Sequence, residues 1–211
     1  MLWILTAIIA SYLIGSIPSA YIFCRALKGI DIRTVGSGNV GATNALRVLG
    51  KKWGIFILFL DILKGLLPVL LLGNITISKT TLLTNEQLRF LIGLSCISGH
   101  NWTVFLSFKG GKGIATTLGT LIGFACTIPG LNVILSLLIL TWLLIFILSK
   151  TVSLASIATS ALLPVYAGLF RQSRFLIIAS LVLSLFAIIR HKTNIIRLLN
   201  GTEPRLKFKK K

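Results

Sequence analysis

The stretch Leu131-Asn132-Val133-Ile134-Leu135-Ser136-Leu137-Leu138-Ile139-Leu140-Thr141-Trp142-Leu143-Leu144-Ile145-Phe146-Ile147-Leu148 contains no charged residue, and Asn132, Ser136 and Thr141 are its only polar interruptions. Such a run can cross the hydrocarbon core of a bilayer as one helix, at about 20 residues per crossing. Apolar segments of the same kind lie at about 1–24, 53–73, 88–106, 114–128, 152–170 and 174–190, and 130–149 completes a set of seven. Those at 88–106 and 114–128 are short and polar for crossings, which points to a site that they line. The 211-residue chain is 55% hydrophobic with a mean hydropathy of +0.94, too apolar for one soluble core and too poor in charge to coat one. The expected fold is all-α: a polytopic integral membrane helix bundle of about seven transmembrane helices, forming a single domain over 1–211.

The net charge of +18 comes from 22 Lys and Arg set against Asp31, Asp61, Glu86 and Glu203. On a soluble protein that balance would suggest nucleic acid. Here the cations sit in short loops between apolar segments, so phosphate-bearing lipids and metabolites are the expected partners and nucleic acid is not. Seventeen cations fall on one side of the proposed topology and four (Lys79, Arg89, Arg171, Arg174) on the other, with Lys64 inside a segment. That asymmetry predicts the N-terminus outside, the C-terminus cytoplasmic, and cytoplasmic loops at 25–52, 107–113 and 149–151 with a cytoplasmic tail at 191–211. The first cation, Arg25, follows the first apolar segment, the reverse of a signal peptide's basic leader, so that segment should be retained. The tail Arg205-Leu206-Lys207-Phe208-Lys209-Lys210-Lys211 is expected to associate with anionic phospholipid headgroups. Cys24, Cys96 and Cys126 lack metal or disulfide spacing and read as small buried hydrophobes, and no metal ligand set is expected.

Two of the proposed cytoplasmic loops share an unusual composition. The first runs Gly36-Ser37-Gly38-Asn39-Val40-Gly41-Ala42-Thr43-Asn44-Ala45-Leu46-Arg47. Its glycines form a Gly-x-Gly-x-x-Gly, yet a membrane segment precedes it instead of the strand that a dinucleotide site requires. What remains is loop physics: backbone N–H groups free to converge on an anion, neutral donors on Ser37, Asn39, Thr43 and Asn44, and a planar two-point cation in Arg47. The second loop, Phe108-Lys109-Gly110-Gly111-Lys112-Gly113, leads into Ile114-Ala115-Thr116-Thr117 and reads as a phosphate cradle opening a helix. It fails the nucleotide P-loop test, because Gly113 stands where Ser or Thr should follow Lys112, and no nearby acid would complete a magnesium site. A phosphate monoester suits it better.

His100 and His191 each lie near a proposed cytoplasmic boundary, where each could orient a substrate, move a proton or serve as a structural hydrogen-bonder. His191 has Asn194 three residues on, on the same helical face. His100 lacks the acid of a His-x-x-x-x-Asp arrangement, so sequence spacing offers no His/Asp base. Asp61 and Lys64 are spaced to pair about 12 to 17 Å along the second segment from its cytoplasmic start. Charges at that depth are either functional or a mutually neutralising structural pair, and both readings stay open.

Together these motifs resemble one family, the bacterial acyl-phosphate-dependent glycerol-3-phosphate acyltransferases, over nearly the whole chain. The likeness rests on Gly36 to Asn44 with Arg47, on Gly99-His100 leading to Phe108 to Gly113, and on His191 and Asn194 followed by Arg197-Leu198-Leu199-Asn200-Gly201-Thr202-Glu203. Asp61-Ile62-Leu63-Lys64-Gly65 and Ser153-Leu154-Ala155-Ser156 also look like family features. One departure is Thr103, where the family's second motif would carry proline.

The resemblance implies transfer of a fatty acyl group from acyl phosphate to the sn-1 hydroxyl of glycerol 3-phosphate, yielding lysophosphatidic acid for phospholipid synthesis. It implies a seven-helix enzyme of the bacterial inner membrane with its active site toward the cytoplasm, no cofactor or metal, and a soluble acyl-phosphate-making enzyme as a further partner. It also assigns roles. Ser37, Arg47, His191 and Asn194 become catalytic; Gly36, Gly38, Asn39, Thr43, Asn44, His100, Lys109, Gly110, Gly111, Lys112 and Gly113 become substrate-binding; Asp61, Lys64 and Glu203 become structural. An organic-phosphate transporter would also want cationic glycine loops, but it would place its site within reach of both membrane faces.

Overall fold

The computed structural model describes residues 1–206, so the Lys207 to Lys211 part of the basic tail, and the headgroup contact expected of it, lies outside the described residues. Among the described residues every regular element is helical. The chain forms two compact units, Met1–Pro129 and the segment from Gly130 onward.

In the first unit, α1 (Leu2–Ser16) and α2 (Ser19–Lys28) are separated by a break at Ile17 and Pro18. Proline cannot donate a backbone hydrogen bond and disfavours helix in the residue before it. Then come α3 (Ala42–Leu49), α4 (Lys51–Leu67), a π-helical turn at Pro68–Leu72, α5 (Gly73–Ile77), α6 (Asn85–Asn101) and α7 (Ile114–Ala125). Pro68 has no N–H to offer the Lys64 carbonyl four residues back, and the Cys96 thiol donates to that oxygen at 2.9 Å. Two tight helix pairs dominate, α1 against α6 and α4 against α7. Both rest on missing side chains: a Cβ on Gly15 would collide with the Cys96 carbonyl and one on Gly99 with Tyr12 O, while Gly65 and Gly119 meet the Thr116 and Ile62 carbonyls in the same way. Such close backbone approach is how helices associate where lipid is no less apolar than their side chains.

The second unit contains α8 (Leu131–Ser149), α9 (Val152–Leu169), α10 (Arg174–Arg190) and α11 (Lys192–Leu199), with α9 packed on both α8 and α10. Only Ile134 and Leu138 of α8 are buried, while Leu140, Leu144, Ile147 and Leu148 stand exposed. A helix apolar all round with so little buried is a lipid-facing helix.

By length and composition four helical stretches can cross a membrane, Leu2–Lys28, Lys51–Ile77, Leu131–Ser149 and Val152–Leu169, and a fifth joins them if α10 and α11, bent by 63°, count as one span. The expected segments at 88–106 and 114–128 correspond to α6, of 17 residues, and α7, of 12. Their polarity has a structural reason: α6 is covered by α1 and α7 by α4, so fewer of their side chains need face lipid. Two expectations change. Cys24 and Cys96 are buried but Cys126, at the C-terminal end of α7, is exposed. Arg89, read as an outer-loop cation, is 4% exposed and donates to Asn85 Oδ1, Val69 O and Asn74 Oδ1, each at 2.6 Å, because the π-helical turn brings acceptors to it.

Candidate active site

The first glycine loop is not a slack connection. Asp31 opens it as the cap of a short turn at Ile32–Thr34, accepting from Arg33 N at 2.9 Å and pairing with the Arg33 guanidinium at 2.6 Å. Those Arg33 hydrogen bonds hold the exposed Asp31 carboxyl below its ordinary range. The loop then folds around Asn44, which has no solvent exposure. Its Oδ1 accepts from Ser37 N at 2.8 Å, and its Nδ2 donates to Val35 O at 3.0 Å and Ile32 O at 3.2 Å. A side chain expected to contact substrate thus binds the loop's own backbone. Gly36 has φ +61°, and a Cβ there would land on Asn44 Oδ1, so both the turn and the anchor require glycine. The result leaves Ser37 exposed, Gly38, Asn39 and Thr43 half-buried, and Arg47 exposed in the last turn of α3 rather than on a loop.

The second loop begins at Thr103, which stands where the family pattern has proline. Its φ of −69° is a value proline adopts, so the backbone path is unchanged. Its hydroxyl donates to Ser16 O at 2.6 Å and accepts from Phe105 N at 3.2 Å, tying the loop to the α1–α2 break. Ser107 and Phe108 occupy the left-handed region at φ 52° and 62°, sparsely populated by non-glycine residues, and strain of this kind gathers at functional loops. The chain then doubles back on the end of α6: Gly110 N donates to Asn101 O at 3.2 Å and Gly111 N to His100 O at 3.0 Å. Gly113 is the N-cap of α7, so the loop ends where the helix presents its unpaired N–H groups. Lys109 is exposed and Lys112 half-buried.

The two loops meet. A Cβ on Gly111 would lie 2.6 Å from the carbonyl oxygen of Val40 in the first loop and would collide with His100 Nε2. The other ring nitrogen of His100 faces Asp61 Oδ1 at 3.9 Å, and that oxygen pairs with Lys64 Nζ at 2.8 Å and accepts from Ser19 Oγ at 3.2 Å. No spacing rule links His100 to an acid 39 residues earlier, nor Ser19 to either; the neighbours arise only because α2, α4 and α6 converge.

The third motif lies in the second unit. His191 caps α11 with Nδ1 2.7 Å from Ala187 O. Asn194 Nδ2 and Ser153 Oγ each donate to Glu203 Oε1 at 2.6 Å, and Arg197 Nε donates to Oε2 at 2.7 Å. Burial pushes the Glu203 carboxyl up, but the hydrogen bonds from Ser153, Arg197 and Asn194 outweigh it and hold the group below its ordinary value of 4.5.

A lipid-facing helical framework that carries donor-rich, cationic, mutually contacting loops defines an integral membrane protein with an anion site. The glycerol-3-phosphate acyltransferase family model matches residues 5–201. A glycerol-3-phosphate acyltransferase of Fusobacterium nucleatum subsp. nucleatum is 43% identical over 201 residues, covering 95% of this chain and 97% of that one. Another from Thermoanaerobacter sp. (strain X514) is 44% identical over 203 residues, covering 96% and 95%. The crystal structure of PlsY (YgiH), an integral membrane glycerol 3-phosphate acyltransferase in its glycerol 3-phosphate form, superposes with a TM-score of 0.84 at 38% identity, covering 97% of this chain and 96% of that one. A lysophosphatidic acid form of PlsY superposes at 0.81 with 37% identity. This chain belongs to the glycerol-3-phosphate acyltransferase family, and it is a membrane-embedded acyltransferase.

Proposed function

We propose that the chain transfers a fatty acyl group from acyl phosphate to the sn-1 hydroxyl of glycerol 3-phosphate, releasing lysophosphatidic acid and inorganic phosphate. The observation that carries this reading is the contact between the two glycine loops at Gly111 and Val40, which sets two donor-rich anion sites side by side. Two phosphate-bearing substrates are what such a pair suits, and the glycerol 3-phosphate and lysophosphatidic acid forms of the PlsY relative supply an acceptor and a product of that chemistry.

Acyl phosphate already has an activated carbonyl and a good leaving group, so the protein need not supply a nucleophile. Its work is to hold two mutually repelling anions, aim the hydroxyl oxygen at the carbonyl carbon, and stabilise the developing oxyanion. Gly110, Gly111, Lys112 and Gly113, with Lys109 at the mouth, hold glycerol phosphate; Gly36, Ser37, Gly38, Asn39, Thr43 and Arg47 hold the donor. Asn44 acts by shaping that first loop. The hydroxyl oxygen forms the new ester bond as the carbonyl carbon's bond to the phosphate oxygen breaks, and a phosphate oxygen of the donor takes the hydroxyl proton. His191 and Asn194 complete the catalytic set as polar groups, and Glu203 is a structural anchor.

In the same reading the whole chain works as one domain in the bacterial inner membrane, crossing seven times with the N-terminus outside and the glycine loops cytoplasmic, where a soluble enzyme delivers acyl phosphate. Purified protein given acyl phosphate and glycerol 3-phosphate should form lysophosphatidic acid, and acyl-CoA in place of acyl phosphate should not. Equal product from acyl-CoA would overturn the donor assignment, and a trapped acyl-Ser37 would replace direct transfer by a covalent route.

A further inference from the structure

Asp61 is 2% exposed and Lys64 7%, in a helix that can span a membrane. Two charges in that setting are costly even when paired, and an apolar pair of similar volume would suit the packing at least as well. Their surroundings show what they hold. Lys64 Nζ donates to Ile17 O at 2.9 Å, the carbonyl at the α1–α2 break, while Asp61 Oδ1 gathers Lys64, Ser19 and the Nδ1 side of His100. These groups line a cavity with room for about one water, and Val40 of the first glycine loop lines it too. His100 then grips Gly111 twice, through its carbonyl, which accepts from Gly111 N at 3.0 Å, and through its ring, whose Nε2 occupies the space a side chain at 111 would need.

We infer that Asp61, Lys64 and His100 form a positioning unit beneath the second glycine loop: the buried ion pair orients the His100 ring, and the ring sets Gly111 against Val40 and with it the separation of the two anion sites. The inference rests on the assignment of the second loop to glycerol 3-phosphate. It gives the intramembrane pair a task beyond neutralising itself, and it gives His100 a task that needs no contact with the reacting atoms. A shift of Gly111 moves the bound hydroxyl relative to the acyl carbonyl, and misplacements of about 1 Å are enough to alter turnover strongly.

The test is steady-state kinetics in both substrates on three full-length variants, Asp61→Asn, the doubly neutral Asp61→Asn/Lys64→Met, and His100→Gln, beside the wild type. Each folded variant should raise KM for glycerol 3-phosphate about tenfold, with KM for acyl phosphate and kcat within about threefold of wild type. A purely structural pair would instead lower the yield of folded enzyme or its Tm and leave both KM values unchanged, which would overturn the inference. So would collapsed kcat at unchanged KM, which would place His100 at the reacting atoms. The doubly neutral variant buries no unpaired charge, so failure of all three to fold would assign the cluster to fold stability alone and overturn the inference as well. Absence of lysophosphatidic acid from the wild type would sink the proposed function, a result separable from any difference among variants.

Discussion

The two glycine loops have similar composition and opposite construction. Residues 36–41 are organised by a side chain, since Asn44 reaches back from α3 and bonds the backbone of Ile32, Val35 and Ser37. Residues 109–113 are organised by backbone, with Gly110 and Gly111 donating to the last carbonyls of α6 and with no space left for a Cβ. Glycine and cations are therefore not by themselves a recipe for an anion loop. The first is vulnerable at its anchor, the second at its glycines, and exposed Arg47 belongs to neither scaffold.

The difference can be broken from its largest expected effect downward. Asn44→Ala should cut activity on the order of a hundredfold, because the loop that carries Ser37 loses its register. Each buried group left unpaired costs roughly 1–3 kcal/mol, so protease susceptibility across 36–41 should rise in parallel. Wild-type turnover in this variant would show that the anchor is dispensable. Arg47→Lys keeps the charge but gives up the planar two-point grip on phosphate. Loss of one charge-assisted hydrogen bond, about 2 kcal/mol, predicts a kcat/KM about thirtyfold lower in a fully folded protein. Near-normal kinetics would demote Arg47 to a topological charge.

Gly111→Ala should raise KM for glycerol 3-phosphate about tenfold with little change in kcat, if the loop holds ground and transition states equally. A collapsed kcat at unchanged KM would move the second loop to the acyl donor or the transition state. Glu203→Gln serves as a control outside both loops and should cost only roughly 1 kcal/mol, because Arg197 is 35% exposed and water screens the pair. The folded carboxyl titrates below 4.5, so its stabilisation is present above that value and is lost as pH falls through the lowered one. The Gln variant should lack that acid-side step in a melting-temperature profile.

Much of this was legible in the one-dimensional pattern. Uninterrupted apolar runs such as 131–148 announce membrane helices because the bilayer imposes a length and a polarity on any segment that crosses it. The loops announced themselves through residue types that are expensive to collect by chance, namely glycines, amides and cations at the ends of such runs. Less legible were the spans. The break at Pro18, the π-helical turn at Pro68, and the shortness of α6 and α7 follow from helix–helix cover, so hydropathy along the chain does not report them.

The sequence by itself determined that this chain is a helical membrane protein with phosphate-suited loops, because local composition and spacing are enough to state what each segment can do alone. Only the tertiary structure decided what each polar residue does in company. Asn44 reads as a substrate donor in the sequence and serves as a backbone anchor in the fold. His100 has no acid at any informative spacing, yet it stands between Asp61 and Gly111. Arg89 reads as a loop charge and is a buried brace. The physical reason is common to all three: a polar group inside a bilayer must find its partners within the protein, and those partners come from whichever helices pack beside it, at sequence separations that no local pattern records.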